Sequence, residues 1–379
     1  MLSVRLTLDE HDKIPLQFRN YSISSGRVTF RVKDEFEVDL TIADEDFEKQ
    51  FWFIDFRFLF SPAPAELSER ARQFVEAKVN DALATDGLAG CYKFLHEFVL
   101  THQISEFYRQ ALALSRNKWV GQLKVERLHR AMSIQYWAGK GAANPSQRIP
   151  GSWIILGVVS GQRPGEPHDA TATSALALRW FRDGKEVQSF KIPLIVDKIS
   201  AETLLKTVIA RHVEHILSSI YARLKSKPRF ATRQANLRLD LSKAEPTDSA
   251  LTMQLVDKDD VVVRIAAITG FFDLSPQTTV MGGGVRKFDA SLNPAEDGAT
   301  ILEQLRSVYL TQELNRRAKS TGWALSMPPI KPDELKQYVS TSPQERYQPV
   351  WLRRPAWNAN WYVLVSLSLE GDRWWLVEV

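Results

Sequence analysis

The sequence predicts an α+β fold made of two diverged repeat units, each an antiparallel β-sheet flanked by α-helices. Three observations carry this. Apolar residues alternate with period two over 28–42 and again over 251–265, each time around a charged turn; stripes at helical spacing follow both; and a Phe-rich run ending in Ser-Pro lies between them, FLFSP at 58–62 and FFDLSP at 271–276.

In the first half, Val28, Phe30 and Val32 share one face, Lys33, Asp34 and Glu35 make the turn, and Phe36, Val38, Leu40 and Ile42 repeat the alternation, which predicts a hairpin. FWFIDFRFLF (51–60) is apolar on both faces except at Asp55 and Arg57, two apart and so on one side, and predicts a central strand. After Ser61-Pro62, Leu67, Ala71, Phe74, Val75, Lys78 and Val79 predict a helix over 63–83, with Pro62 or Pro64 suited to its first turn. A second helix after Gly87 carries Leu88, Cys91, Phe94, Leu95, Phe98, Ile104, Phe107, Tyr108 and Leu112 on its apolar face. Residues 119–137 return to strands around His129-Arg130, 138–151 and 161–173 compose as loops, and 153–159 is a short buried strand. A hairpin over 176–195 turns at Asp183-Gly184, and Ser200 caps a helix striped by Leu204, Leu205, Val208, Ile209, His212, Ile216, Ile220 and Leu224 that Pro228 ends. The predicted domain boundary falls there, giving units 1–228 and 229–379.

In the second half Leu251, Met253 and Leu255, then Val261, Val263 and Ile265, alternate around an acidic turn at 257–260. A helix over 299–319 ends at Trp323 much as the first long helix ends at Trp119. The segment 326–349 is expected to be a mobile loop. Trp361, Val363, Val365, Leu367 and Leu369 then alternate before a Gly371-Asp372 turn and Trp374-Trp375.

The chain has 379 residues, 44% hydrophobic and 25% charged, values of a folded globular protein with length enough for two or three domains. Its single cysteine excludes an intrachain disulfide and a multi-thiolate zinc site. The first residues have no apolar leader core and no run of ~18 apolar residues occurs, so neither a signal peptide nor a membrane span is predicted. A net charge of +4 is mild for a nucleic-acid binder.

Each candidate for chemistry has a stronger structural reading. His212 and His215 share a helix face, but no third metal ligand is signalled, so His212 is expected to complete the apolar stripe. His168-Asp169 lies in a Pro- and Gly-rich loop that cannot hold metal geometry. Gly282-Gly283-Gly284 before Arg286 and Lys287 lacks the phosphate-loop spacing and reads as a loop tip. Cys91 sits on an interior stripe, where a thiol is inert. Asp55 and Arg57 are expected to neutralise each other. No catalytic, cofactor-binding or metal residue is therefore nominated, and no cofactor is expected. The basic segment 223–238, with Arg223, Lys225, Lys227, Arg229 and Arg233 around Phe230, offers an alternative function as a nucleic-acid-binding module, against a solvated linker or a site for an acidic protein. Trp351, Trp357, Trp361, Trp374 and Trp375 crowd the last strands, and some are expected to meet a partner.

Three stretches carry a resemblance. FWFIDFRFLFSPAP, KFLHEFVLTHQISEFYRQALAL and KWVGQLKVERLHRAMSIQYW, the last followed by SWIILGV, resemble the strand, helix and strand blocks of the central region of the Mediator complex subunit 14 family, with the match strongest over 51–159. The turn Leu128-His129-Arg130 departs from the family's Pro-Gly-Lys. The resemblance implies a nuclear, non-enzymatic scaffold of a transcriptional coactivator that joins head, middle and tail modules. It implies other Mediator subunits as partners, subunit 17 for example, and indirect links to activators and RNA polymerase II. It also implies that this chain is a fragment of a longer protein.

Overall fold

The computed structural model describes the chain except residues 1, 10, 45, 47–48, 144–150, 163–172, 189–191, 193, 244, 329–349 and 359. Its contacts divide it into two units, Met1–Gly139 with Gly151–Leu205, and Lys140–Pro150 with Lys206–Val379. The division falls inside the helix that begins at Ala201, whereas the sequence reading draws it after 228.

In the first unit, β1 (Tyr21–Ser24), β2 (Arg27–Val32), β3 (Phe36–Ile42) and β4 (Phe51–Phe58) form an antiparallel meander in chain order. Val28 and Phe30 on β2 and Phe36, Val38 and Leu40 on β3 are fully buried, because alternation turns every second residue to one face. Phe18 stacks on Phe30 at 4.6 Å and meets Phe36 and Tyr92 edge-on. β4 is an edge strand rather than a central one. Its backbone is served by helix α1 (Glu69–Arg116): Phe53 N–H donates to Asn80 Oδ1 at 3.0 Å and Arg72 donates to the Ile54 carbonyl at 3.3 Å. Its Phe51, Phe53 and Phe56 are buried, whereas Trp52 on the other face is exposed. Arg57 turns to Asp39 (3.3 Å) and Glu37 across the sheet instead of to Asp55.

The two helices read on either side of Gly87 are both present and together make up α1, kinked where they meet at Gly87 (φ 59°), a conformation with little steric penalty only for glycine. The helix starts later than the prolines suggest, at Glu69, because the Ser68 side chain caps it. Beyond the helix, Trp119 is buried and its N–H bonds the Leu114 carbonyl. β5 (Lys124–Leu128), β6 (Ala131–Tyr136), β7 (Ser152–Val159), β8 (Ala175–Arg182) and β9 (Lys185–Glu186) make the second antiparallel sheet. The His129-Arg130 and Asp183-Gly184 turns stand as read, with β9 only two residues long. Part of the 138–151 loop is instead helical, at Ala138–Ala143. Helix α2 spans Ala201–Lys225, with Ser200 Oγ accepting from Thr203 N–H; Pro228 starts a further helical turn, Pro228–Ala231, rather than closing α2.

The second unit repeats the order. β10 (Leu237–Asp240), β11 (Ala250–Val256), β12 (Asp259–Ile265) and β13 (Phe272–Ser275) form a meander, then come helices α3 (Thr279–Ala290) and α4 (Pro294–Ser320). The edge strand is again served by a helix, Phe272 N–H donating to Asp289 Oδ1 at 3.0 Å. Trp323 N–H bonds the Ala318 carbonyl, five residues back, the offset seen at Trp119. β14 (Ala324–Leu325), β15 (Val350–Arg353), β16 (Trp361–Ser366) and β17 (Arg373–Glu378) complete a four-stranded antiparallel sheet. Its Val350, Leu352 and Val365, with Leu367 just past β16, pack with Leu310 and Ala318 of α4. The Gly282-Gly283-Gly284 run is not a loop tip but part of α3, where an added Cβ at Gly284 would lie 2.3 Å from Leu305. The loop read over 326–349 falls outside the described residues from 329 onward.

Candidate interaction surfaces

Two of the ionisable groups read from the sequence, Cys91 and His212, lie in the core. Cys91 is buried in α1 and burial pushes its thiol pKa well up, which removes the thiolate a nucleophile needs. His212 is buried within α2 and His215 half-buried beside it. His168-Asp169 lies outside the described residues. Among the described residues no three His, Cys, Asp or Glu side chains stand close enough to hold a metal ion.

The sequence reading missed His96. This buried ring on α1 lies 2.7 Å from Glu35 Oε2 through Nδ1 and 2.7 Å from the Ser174 carbonyl through Nε2, and stacks on Tyr92. Two acceptors on one ring require two N–H donors, so the imidazolium is the form that satisfies both. Burial works against that charge, but the Glu35 carboxylate and the Ser174 carbonyl outweigh it and hold the pKa above its ordinary value. The ring borders a hollow of about 950 Å³ whose wall includes Leu100, Gln103, Leu176 and Leu194. The arrangement clamps the β2–β3 turn to α1 and to the residue before β8. A polar residue at i+4 from Tyr92 on an otherwise apolar stripe was the available signal.

Part of the basic segment is engaged, while Arg223 and Arg233 are exposed. Lys227 pairs with Glu370 (3.1 Å), Arg229 with Asp372 (3.3 Å) and Arg238 with Asp240, while Lys225 lies over the Tyr221 ring. Groups committed to carboxylates are poorly placed to release counterions from a nucleic acid.

The terminal tryptophans divide. Trp351 is buried with Tyr362, Leu364 and Val377, and Trp357 meets Trp323 edge-on at 4.9 Å. Trp374 is 57% exposed, and so is Leu376 two residues on. In the first unit Trp52 and Phe74 are also exposed, Phe74 leading into a line of rings through Phe94, Phe98 and Phe58 to His102. Large rings left in water are the chemistry of docking surfaces.

Mediator of RNA polymerase II transcription subunit 14 of Neurospora crassa is 54% identical over 385 residues, covering 100% of this chain. The chain belongs to the Mediator complex subunit 14 family. Proteins of the same name from Pyricularia oryzae (49% identical) and Aspergillus niger (34%) also match across the whole chain. The chain spans about a third of the length of these relatives, 30%, 34% and 33% respectively. Family models described as Mediator complex subunit MED14 and Fungal Med14 domain match residues 1–44 and 220–314. Likeness to the family thus reaches well beyond 51–159, into stretches where no motif was read. Among the described residues no helix is long and apolar enough to cross a membrane.

Proposed function

We propose that this chain is a non-enzymatic scaffold segment of the Mediator coactivator, acting in the nucleus in transcription regulation. On this reading it helps to join the head, middle and tail modules, with subunit 17 among its neighbours, and couples activators to RNA polymerase II. The observation that carries the reading is the match over the entire chain to relatives named as subunit 14 of Mediator. The chemistry is compatible: the titratable groups described above are tied into structural bonds, and large apolar side chains such as Trp374, Leu376 and Phe74 face solvent. Affinity capture of the tagged chain from fungal nuclear extract tests it. Mediator head and middle subunits are expected in the eluate, and their absence at wild-type expression of the chain overturns the reading.

A further inference from the structure

Exposed sheet edges invite pairing with another strand, and proteins normally blunt them. Most edges here are blunted. β9 and β14 are two residues long, β1 and β10 four, and β10 carries the Arg238–Asp240 pair. β5 bears Lys124, Glu126 and Arg127, while β4 and β13 give backbone N–H groups to Asn80 and Asp289. β17 has none of these devices. It runs six residues (RWWLVE) in unbroken register with β16, has no proline, and keeps its charges at its two ends. No described residue pairs with its outer side.

The direction of its free groups follows from one bond. Val379 N–H donates to the Asn360 carbonyl at 2.8 Å, toward the β16 side. Antiparallel pairing alternates, so Arg373, Trp375 and Val377 also face β16, and Trp374, Leu376 and Glu378 turn their N–H and C=O groups outward. The side chains of these same three residues are exposed. Free main-chain donors and acceptors therefore coincide with an apolar strip of Trp374 and Leu376 that ends at Glu378, while Arg373, at the other end of the strand, lies on the opposite face of the sheet.

We infer that the outer edge of β17 is a docking site for one extended strand of a partner protein, added antiparallel to the sheet. The occupant has apolar residues opposite Trp374 and Leu376, a basic residue opposite Glu378 and an acidic residue opposite Arg373. Antiparallel addition continues a sheet in which every pairing is antiparallel. Main-chain bonds would supply affinity, and the apolar strip, with the charges at the two ends of the strand, would supply register and direction. The inference rests on the reading of the chain as an interaction scaffold and names one of its surfaces.

The test uses the 379-residue chain and a fluorescent peptide, acetyl-Lys-Thr-Val-Thr-Val-Glu-amide, followed by anisotropy. Saturable binding is expected, weakened about tenfold or more when Lys and Glu of the peptide are exchanged and abolished by N-methylation of its Lys and two Val residues, which removes the donors facing β17. Trp374→Lys and Leu376→Lys should each weaken binding about tenfold, with an unchanged urea midpoint showing that the exposed substitutions leave the fold intact. Equal binding of the N-methylated peptide, or no saturable binding, overturns the inference. So does sedimentation of the chain as a dimer that Leu376→Lys dissociates, since the edge would then hold a second copy. Peptide failure alongside successful capture of Mediator subunits removes this surface alone; failure of both removes the scaffold reading as well.

Discussion

Arg306 and Asp372 face each other as a two-pronged fork in the second unit: Nη1 lies 3.1 Å from Oδ1 and Nη2 2.7 Å from Oδ2. The Arg306 side chain is only 2% exposed and also donates to the Leu255 carbonyl. Asp372 accepts from Arg229 and from the Ser368 N–H as well. One carboxylate thus joins helix α4, the turn before β17 and the short helix at Pro228–Ala231, and through Arg229 it reaches the segment read as a nucleic-acid site.

Removing Asp372 should cost far more than removing Arg229. Asp372→Ala strands a guanidinium in the interior, and breaking a buried pair from one side costs about 3–5 kcal/mol. Arg229→Ala leaves the Arg306 fork in place and should cost about 1 kcal/mol, the range of partly exposed pairs. Urea denaturation followed by tryptophan fluorescence distinguishes them; equal costs would mean that the fork is not the anchor of this turn.

His96 and His102 should give opposite pH signatures. His96 has a raised pKa in the fold, so its contribution to stability is complete below the ordinary value of 6.5 and is lost as pH rises through the folded value. His102 stacks on Phe58 at 4.5 Å, and burial lowers its pKa despite the pull of Glu106. Its contribution is complete above 6.5 and falls as pH drops toward the folded value. Urea midpoints of wild type minus His96→Gln should therefore be largest at the acid end, and those of wild type minus His102→Gln at the alkaline end. Slopes of the same sign in both would contradict the Glu35–His96–Ser174 geometry.

Much of the fold was legible because period-two alternation decides which face of a strand is buried. Val28 to Val32 and Val261 to Ile265 could be read directly, and so could the Asp183-Gly184 turn. What failed was information held by neighbours in space. β4 reads as a central strand because both its faces are apolar, and only the position of α1 reveals that a helix covers an edge. His96 sits in a stripe of apolar residues, and its partners Glu35 and Ser174 are 61 and 78 residues away. The tryptophans were legible as a group but not one by one, since Trp374 and Trp375 differ only in which face of β17 they occupy.

The glycine run in α3 was misread for a related reason, and it yields the last prediction. Local propensity disfavours three glycines in a helix, yet they lie between residues that place Met281 and Phe288 in the core. Each position has its own surroundings. At Gly284 a Cβ would meet Leu305 Cδ1 at 2.3 Å and Leu274 Cδ2 at 3.1 Å, whereas at Gly282 and Gly283 nothing lies within 4 Å. Gly284 is therefore required for close approach of α3 to α4 and β13, and its neighbours are not. Gly284→Ala should destabilise by about 1–3 kcal/mol through overpacking. Gly282→Ala and Gly283→Ala should each stabilise by about 0.5–1 kcal/mol, because alanine restricts the unfolded chain and favours the helix already formed. The three urea midpoints decide it: a stabilising Gly284→Ala would show that α3 does not pack on Leu305, and destabilising changes at Gly282 and Gly283 would show a surface there that is not free.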